Sequence, residues 1–307
     1  MNDGSLSTII WTEHAIAVIG PMKGEQPSVG SPMSRETEMK SGTIASNGQK
    51  LYYEVHGEGA PLVLVMGIGY DATLWGLHQV PALSKEFKVV VFDNRDVGRS
   101  SQATGPYKIA DMANDVAGLM DGLQIRRAHL LGLSMGGMIA QEFALRHPDR
   151  LDRLVLTGTG AAAARAKFDP ISIWDFVKQH DPEGLTFAAQ QFVWLFSVDF
   201  LRNHQAVDQT LAMLGSNPNP VSPEAYSRQA SAYIQHDVLD RIGQIKATTL
   251  VISGERDLLT PPWIGRELAD SIPGARFHLV EGPGSSHVLP LERPDDFNKI
   301  VSSFLKA

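Results

Sequence analysis

The chain has 307 residues, 43% hydrophobic and 20% charged, with a net charge of −7 and no cysteine. That composition supplies a large core, and an acidic balance without a basic block argues against nucleic acid or an anionic membrane as partner. The lack of thiols excludes disulfides, thiolate metal sites and a cysteine nucleophile.

No apolar run approaches the roughly 20 residues that cross a bilayer. Residues 9–19 look faintly like a signal sequence, but Glu13 and His14 interrupt them and neither a basic start nor a small-residue cleavage site flanks them. A cytoplasmic protein is the expectation. Residues 1–40, rich in Ser, Gly, Pro and charge, read as a flexible extension.

From Gly42 to Val55 two alternating stretches flank Ser46-Asn47-Gly48-Gln49, and Asn-Gly between such stretches signals a hairpin. Pro61–Met66 and Phe87–Phe92 are continuous apolar runs separated by a helical pattern at 74–85. Strand, helix, strand with both faces buried is the mark of a parallel sheet. The alternation continues through a helix at 108–123, a strand at 129–133, a helix from Met135 to Leu145 and a strand at 151–157. It stops for residues 161–243, which are helical in pattern and rich in aromatics, and resumes with a strand at 248–253, a helix at 262–272, a strand at 275–280 and a helix at 294–305. The expected architecture is therefore an α/β core from 41–160 and 244–307, carrying a helical cap at 161–243. Such a cap would cover the carboxyl edge of the sheet, where open α/β sheets bind ligands. Trp75, in the helical pattern at 74–85, and Trp174 and Trp194, in the cap, are the candidate substrate-binding residues, and Arg165, Lys167 and Arg202 are cations that could receive a carboxylate.

Ser134 stands between the strand ending at Leu133 and the following helix, flanked by Gly132 and Gly136. A residue at so sharp a corner takes strained backbone angles, and its neighbours two positions away must lack bulk. This is the G-x-S-x-G elbow that lifts a serine hydroxyl above a sheet. The pattern alone is weak, because a glycine-rich turn with an inert serine reads the same way.

Serine needs a base to take its proton and a third group to orient that base. Asp257 directly follows the strand at 248–253, and His287 follows the strand at 275–280, so Ser134, Asp257 and His287 occur as nucleophile, acid and base, each just past a strand. Glu255 is the rival acid, and Asp257 could instead cap the helix beginning near Pro261. His278 is disfavoured as base because it falls inside a strand. The N–H groups of Ile68, in the loop after the strand at 61–66, and of Met135 are the expected oxyanion donors.

The same loop carries a competing pattern. Gly67, Gly69 and Ala72 match G-x-G-x-x-A, and Asp93 ends the next strand, as in a dinucleotide fingerprint. That reading explains neither the elbow nor Asp257 and His287, and it expects a βαβ unit where the domain opens with a hairpin.

Residues 42–307 resemble the α/β-hydrolase fold family through Gly132-Leu-Ser-Met-Gly-Gly137, Phe92-Asp-Asn-Arg-Asp-Val-Gly-Arg-Ser100, Gly254-Glu-Arg-Asp257 with Pro261, and His287 followed by Glu292-Arg-Pro294. The resemblance implies a mostly parallel eight-stranded sheet with helices on both faces and a helical lid. Within the family the chain is similar to the group of small-ester esterases, 3-oxoadipate enol-lactonases, acyl-homoserine lactonases and cofactor-free haloperoxidases. It departs from the pattern at Met66, where many relatives have His, and at Gly284-Ser-Ser-His287, which is longer than the usual Gly-His.

Serine at the elbow excludes the dehalogenases and epoxide hydrolases of this fold, which use Asp. The function expected is hydrolysis of a small-molecule carboxylic ester or lactone through an acyl-enzyme, with no metal or organic cofactor. A carbon–carbon hydrolase or a perhydrolase on the same three residues is the alternative, and a non-catalytic binder of small ligands a remote one.

Overall fold

The computed structural model describes residues 39–163 and 191–307, which lie in a compact unit spanning Thr37–Ala307. The expected extension at 1–40 falls almost wholly outside the described residues, and so do Trp174, Arg165 and Lys167.

The unit opens with the hairpin β1 (Lys40–Ser46) and β2 (Gln49–His56), paired in register from Lys40↔Val55 to Ser46↔Gln49. At its turn Asn47 and Gly48 have φ of 46° and 77°. Two left-handed residues give the turn whose twist matches that of the strands, which is why Asn-Gly closes it.

Then follow β3 (Ala60–Val65), α1 (Thr73–Leu83), β4 (Phe87–Phe92), α2 (Ile109–Gly122), β5 (Ala128–Leu133), α3 (Met135–Arg146) and β6 (Leu151–Thr157). Among the described residues of the insert are α4 (Val198–Leu201), α5 (His204–Gly215) and α6 (Pro223–Ile234). The chain closes with β7 (Thr248–Gly254), α7 (Pro262–Ser271), β8 (Arg276–Val280), a single turn α8 (Leu289–Glu292) and α9 (Pro294–Lys306).

The eight strands lie in the order β1-β2-β4-β3-β5-β6-β7-β8, antiparallel at β1–β2 and β2–β4 and parallel elsewhere. Successive side chains of a strand point to opposite faces, and β3 shows it. Val63 and Val65 enter the core shared with α2, α3 and α7, whereas Leu62 and Leu64 enter the core shared with α1 and α9. All six residues of β5 are buried, as a central strand covered on both faces requires.

From β3 the chain turns outward to β4 and later returns to place β5 on the other side of β3. That reversal opens a crevice beyond the carboxyl ends of β3 and β5, the usual ligand position in an open α/β sheet.

Candidate active site

Ser134 stands at that crevice, as the N-cap of α3, with φ 57° and ψ −123°. A side chain at such angles is strained and persists only where the surroundings fix it. The surroundings here are mostly backbone. A Cβ on Gly132 would lie 2.3 Å from Gly136 O, one on Gly136 would lie 2.1 Å from Val65 O, and one on Gly137 would lie 2.5 Å from Thr159 Cγ2. None of these positions admits a larger residue, so the glycines let β5, α3 and the β3 loop approach closely enough to lock the corner. Ser134 N–H is tied to Thr157 O at 2.9 Å.

The β3 loop lies directly against the elbow, since a Cβ on Gly67 would meet Ser134 Cβ at 3.2 Å. Met135 is the first residue of α3, so its N–H has no acceptor within the helix. The neighbouring loop is pinned by its flanks: Asn94 Nδ2 donates to Met66 O at 3.0 Å, and Gly69 N–H donates to Gln229 Oε1 at 2.8 Å. Between those bonds lie Gly67 and Ile68, which line the same cavity as Ser134 at the positive end of α3.

Asp257 and His287 come together from the loops after β7 and β8. His287 Nδ1 lies 3.0 Å from Asp257 Oδ2 and 3.2 Å from Oδ1, with both residues 3% exposed. A carboxylate only accepts, so in the neutral ring the proton belongs on Nδ1 and the lone pair on Nε2. Asp257 also accepts from Leu259 N–H at 2.9 Å, Thr260 N–H at 2.8 Å and Thr260 Oγ1 at 2.6 Å, while Thr260 Oγ1 lies 3.2 Å from His287 Nδ1.

Asp257 therefore organises its own turn as well as the imidazole, without capping α7, whose N-cap is Pro261. Glu255 does not approach His287 but accepts from Gly282 N–H at 2.8 Å. His278 is an exposed residue of the edge strand β8.

The extra length of Gly284-Ser-Ser-His287 is taken up by folding. Ser285 O accepts from Arg256 N–H at 2.9 Å and Ser285 Oγ donates to Gly282 O at 2.6 Å, while Ser286 Oγ donates to Glu292 Oε1 at 2.5 Å. Gly254 lets this loop cross β7, since a Cβ there would lie 2.2 Å from Ser285 O. Gly158, at φ 56°, lets His287 lie over the end of β6, where a Cβ would sit 3.1 Å from Cε1.

Ser134, His287 and Ile68 line one cavity of about 80 Å³. One water needs about 10–15 Å³ of such space, so the cavity holds a small organic group. Its other described walls are mainly apolar: Met66, Leu74, Trp75, Leu133 and Leu259 from the core, with Leu195, Phe196, Met213, Leu214, Tyr226 and Tyr233 from the insert. Burial pushes Tyr70 up to about 12, burial reinforced by the Asp257 charge does the same for Tyr233, and burial raises Tyr226 as well, so all three phenols that line the cavity stay neutral near pH 7.

Trp75 lines the cavity as expected, but Trp194 does not: its side chain is 46% exposed. In the helical stretch at 191–195 the inward positions belong to Phe192 and Leu195, which turns Val193 and Trp194 outward. Arg202 is exposed and lies outside the cavity. Sequence reasoning missed Thr260, Gln79 and Gln229, since one polar residue in a helix or turn carries no periodic signal.

Asp93 loses the ribose role that the competing pattern would give it. It is 0% exposed and accepts from Ala72 N–H at 2.9 Å and from Arg99 N–H and Nε at 2.8 and 2.9 Å. Gly98, at φ 58°, permits that wrap, because a Cβ would lie 2.4 Å from Asp93 Oδ2. The acidic residue thus seals the β4 loop and is not open to a ligand. Among the described residues no group of three or more His, Cys, Asp and Glu is placed to hold a metal.

Known proteins with this architecture are numerous. RutD of Caulobacter sp. strain K31, which carries the provisional name carbamate hydrolase, is 31% identical over 87% of this chain and 98% of its own. The crystal structure of the enol-lactonase from Burkholderia xenovorans is 35% identical with a TM-score of 0.72, covering 87% of this chain and 100% of that one. That of a hydrolase from Pseudomonas aeruginosa is 33% identical with a TM-score of 0.76, covering 88% and 99%. A sequence model of the alpha/beta hydrolase fold matches residues 60–294, and together with these relatives it shows that the chain belongs to the alpha/beta hydrolase fold family.

Proposed function

We propose that this hydrolase cleaves a small carboxylic ester or lactone with Ser134 as nucleophile, His287 as base and Asp257 as the group that orients it. The observation that carries the reading is Asp257 on Nδ1 of a buried His287 that shares one cavity with a serine held at φ 57°.

His287 Nε2 takes the Ser134 proton as Oγ attacks the carbonyl carbon. The oxygen that becomes negative is held by the N–H groups of Ile68 and Met135, donors already oriented before charge develops. His287 then gives its proton to the leaving oxygen, which departs as an alcohol or, from a lactone, stays tethered to the acyl group. Water, activated by the same imidazole, attacks the acyl-enzyme and releases Ser134. Asp257 accepts from Nδ1 throughout and stabilises the imidazolium. Every step uses side chains, backbone and one water. The neutral apolar walls strengthen the oxyanion contacts by excluding water.

The test is turnover of p-nitrophenyl acetate, butyrate and octanoate, an acyl-homoserine lactone, an enol-lactone and a carbamate, with Ser134→Ala alongside. The variant is expected to lose at least about a hundredfold in kcat, because removing one member of such a constellation typically costs far more. A smaller loss, or a wild-type serine that a fluorophosphonate does not label, overturns the mechanism. Labelled serine without ester, lactone or carbamate turnover redirects the substrate to a carbon–carbon bond or to perhydrolysis.

A further inference from the structure

Trp75 and Gln79 lie at i and i+4 on α1 and so share one face of that helix. Both line the cavity that holds Ser134 and His287, and they are 1% and 0% exposed. The Gln79 amide has a fixed orientation. Its Nε2 donates to Pro290 O at 2.8 Å and to Asn298 Oδ1 at 3.3 Å, and Asn298 is fixed in turn by donation from Nδ2 to His78 O at 3.3 Å. Turning the amide over would set its oxygen against two acceptors. Gln79 Oε1 is left as a buried acceptor without a protein partner, and Trp75 Nε1–H is a buried donor without one. Indoles and amides normally find partners when buried. Here one donor and one acceptor go unpaired on the same helix face, in residues that line the same cavity as Ser134.

We propose that Trp75 Nε1 and Gln79 Oε1 form a polar anchor for the substrate, taking a neutral group that both accepts and donates a hydrogen bond, an amide or a hydroxyl carried away from the scissile carbonyl. This rests on the serine-hydrolase reading above. An amide accepts from the indole N–H through its carbonyl and donates through its N–H to the glutamine oxygen, and a hydroxyl does both with one atom. A carboxylate fits badly. It accepts from Trp75 but brings a second negative oxygen toward Gln79 Oε1, and among the described residues lining the cavity there is no lysine or arginine to hold it. A plain alkyl chain leaves both polar atoms unpaired, which is the situation that lets a polar site reject an apolar analogue strongly.

The anchor is tested with matched methyl esters in a pH-stat: methyl hexanoate, methyl ω-hydroxyhexanoate, methyl N-acetyl-β-alaninate and monomethyl adipate, against wild type, Gln79→Leu and Trp75→Phe. In the wild type the hydroxyl or the amide ester is expected to exceed methyl hexanoate in kcat/KM by about tenfold or more, as one or two net hydrogen bonds allow, with the adipate half-ester lowest. Each variant should bring that ratio close to one.

Gln79→Leu also removes the bonds that hold α1 to Pro290 and Asn298. Trp75→Phe keeps them, so it decides the question if the first variant fails to fold. A wild-type ratio near one, a preference for the half-ester, or variants that scale all four esters by a common factor would each overturn the anchor and leave the serine mechanism standing. A Ser134 that no fluorophosphonate labels would overturn the serine mechanism, and the anchor with it.

Discussion

Around the elbow, backbone meets backbone, whereas the insert between β6 and β7 is fastened to the rest of the fold mainly through side chains. Gly132, Gly136 and Gly254 each hold a carbonyl within 2.3 Å of where a Cβ would be. On the insert the fastenings are Arg228 Nη2 to Asp96 Oδ1 at 2.7 Å, Gln229 between Gly69 N–H and Arg95 O, Asn217 Nδ2 to Asp71 Oδ2 at 2.9 Å, and Ser197 to Glu292. Backbone packing has no rotamers to lose and no tolerance for volume, which suits groups that must stand within fractions of an ångström for catalysis. Side-chain bonds can be exchanged or rearranged one at a time, which suits a cavity wall that must adapt to what it holds. The two halves should therefore fail differently: the elbow all at once, the insert by degrees.

The largest effect is expected at Gly136→Ala. Its Cβ would lie 2.1 Å from Val65 O, in the sheet's central parallel pair, and neither strand can move without disturbing its neighbours. Overpacking a close-packed core usually costs about 1–3 kcal/mol. Here the clash is with backbone, and a loss above about 3 kcal/mol is expected, read as a fall in urea midpoint together with activity. A variant of near-normal stability would show that the corner can relax, and that the elbow is no stiffer than the insert.

Next comes the seam between the regions. His236 closes the insert, accepting from Ala163 N–H at 3.1 Å beside the Ala162–Asp237 bridge. Burial lowers its pKa to about 4, with Glu142 and Asp237 opposing and Arg241 assisting, and its Nε2 has no protein partner. The folded pKa is depressed below the unfolded value of about 6.5. Between those two values the unfolded chain takes up a proton that the folded chain refuses. Stability is therefore full above pH 6.5 and falls as the pH drops toward 4, by up to about 1.4 kcal/mol per unit and roughly 3 kcal/mol in all. His236→Gln should flatten the urea-midpoint curve over that window relative to wild type. Parallel curves would remove His236 from the account.

A smaller loss is expected at the clamp itself. Asp96 is 2% exposed and accepts from Ala103 N–H as well as from Arg228, whose side chain is 22% exposed. Arg228→Leu leaves a buried carboxylate with one partner fewer. Breaking a fully buried pair costs about 3–5 kcal/mol, and the partial exposure of Arg228 lowers the expectation to about 2 kcal/mol. KM should rise more than kcat falls, because the Arg228–Asp96 pair touches the insert and not the reacting atoms. An equal fall in kcat with KM unchanged would place the insert in the chemistry.

How much of this could be read in advance also divides along the same line. The hairpin, the eight strands and the elbow are legible because glycine, Asn-Gly and apolar runs report backbone requirements directly. Positions such as Asp257 and His287 are legible because they follow strands, and strand ends are easy to place. The insert resists such reading. Phe192, Val193, Trp194 and Leu195 are all apolar neighbours, and only the helix rotation decides that Trp194 faces outward. Asp93 shows the opposite failure: its spacing fits a nucleotide fingerprint, yet its partners, Arg99 and Ala72 N–H, appear only once the loop is folded. Gln79 and Thr260 were silent for the same reason, since their meaning lies in bonds to Pro290, Asn298 and Asp257 that no local pattern encodes.

Thr260 offers the finest test, because it adds a side-chain bond to the half of the site otherwise fixed by backbone. Its Oγ1 donates to Asp257 Oδ2 at 2.6 Å and stands 3.2 Å from His287 Nδ1, while Asp257 Oδ1 is held separately by the N–H groups of Leu259 and Thr260. Thr260→Val keeps the shape and both backbone bonds and deletes one charge-assisted hydrogen bond, a contact worth about 1.5–3 kcal/mol at most. Asp257 retains its other donors, so only part of that reaches the transition state, and kcat should fall by about three- to tenfold with KM little changed. If kcat drops by a thousandfold instead, the aspartate is steered by this hydroxyl and not by its turn, and the backbone has less authority over the site than the glycine contacts suggest.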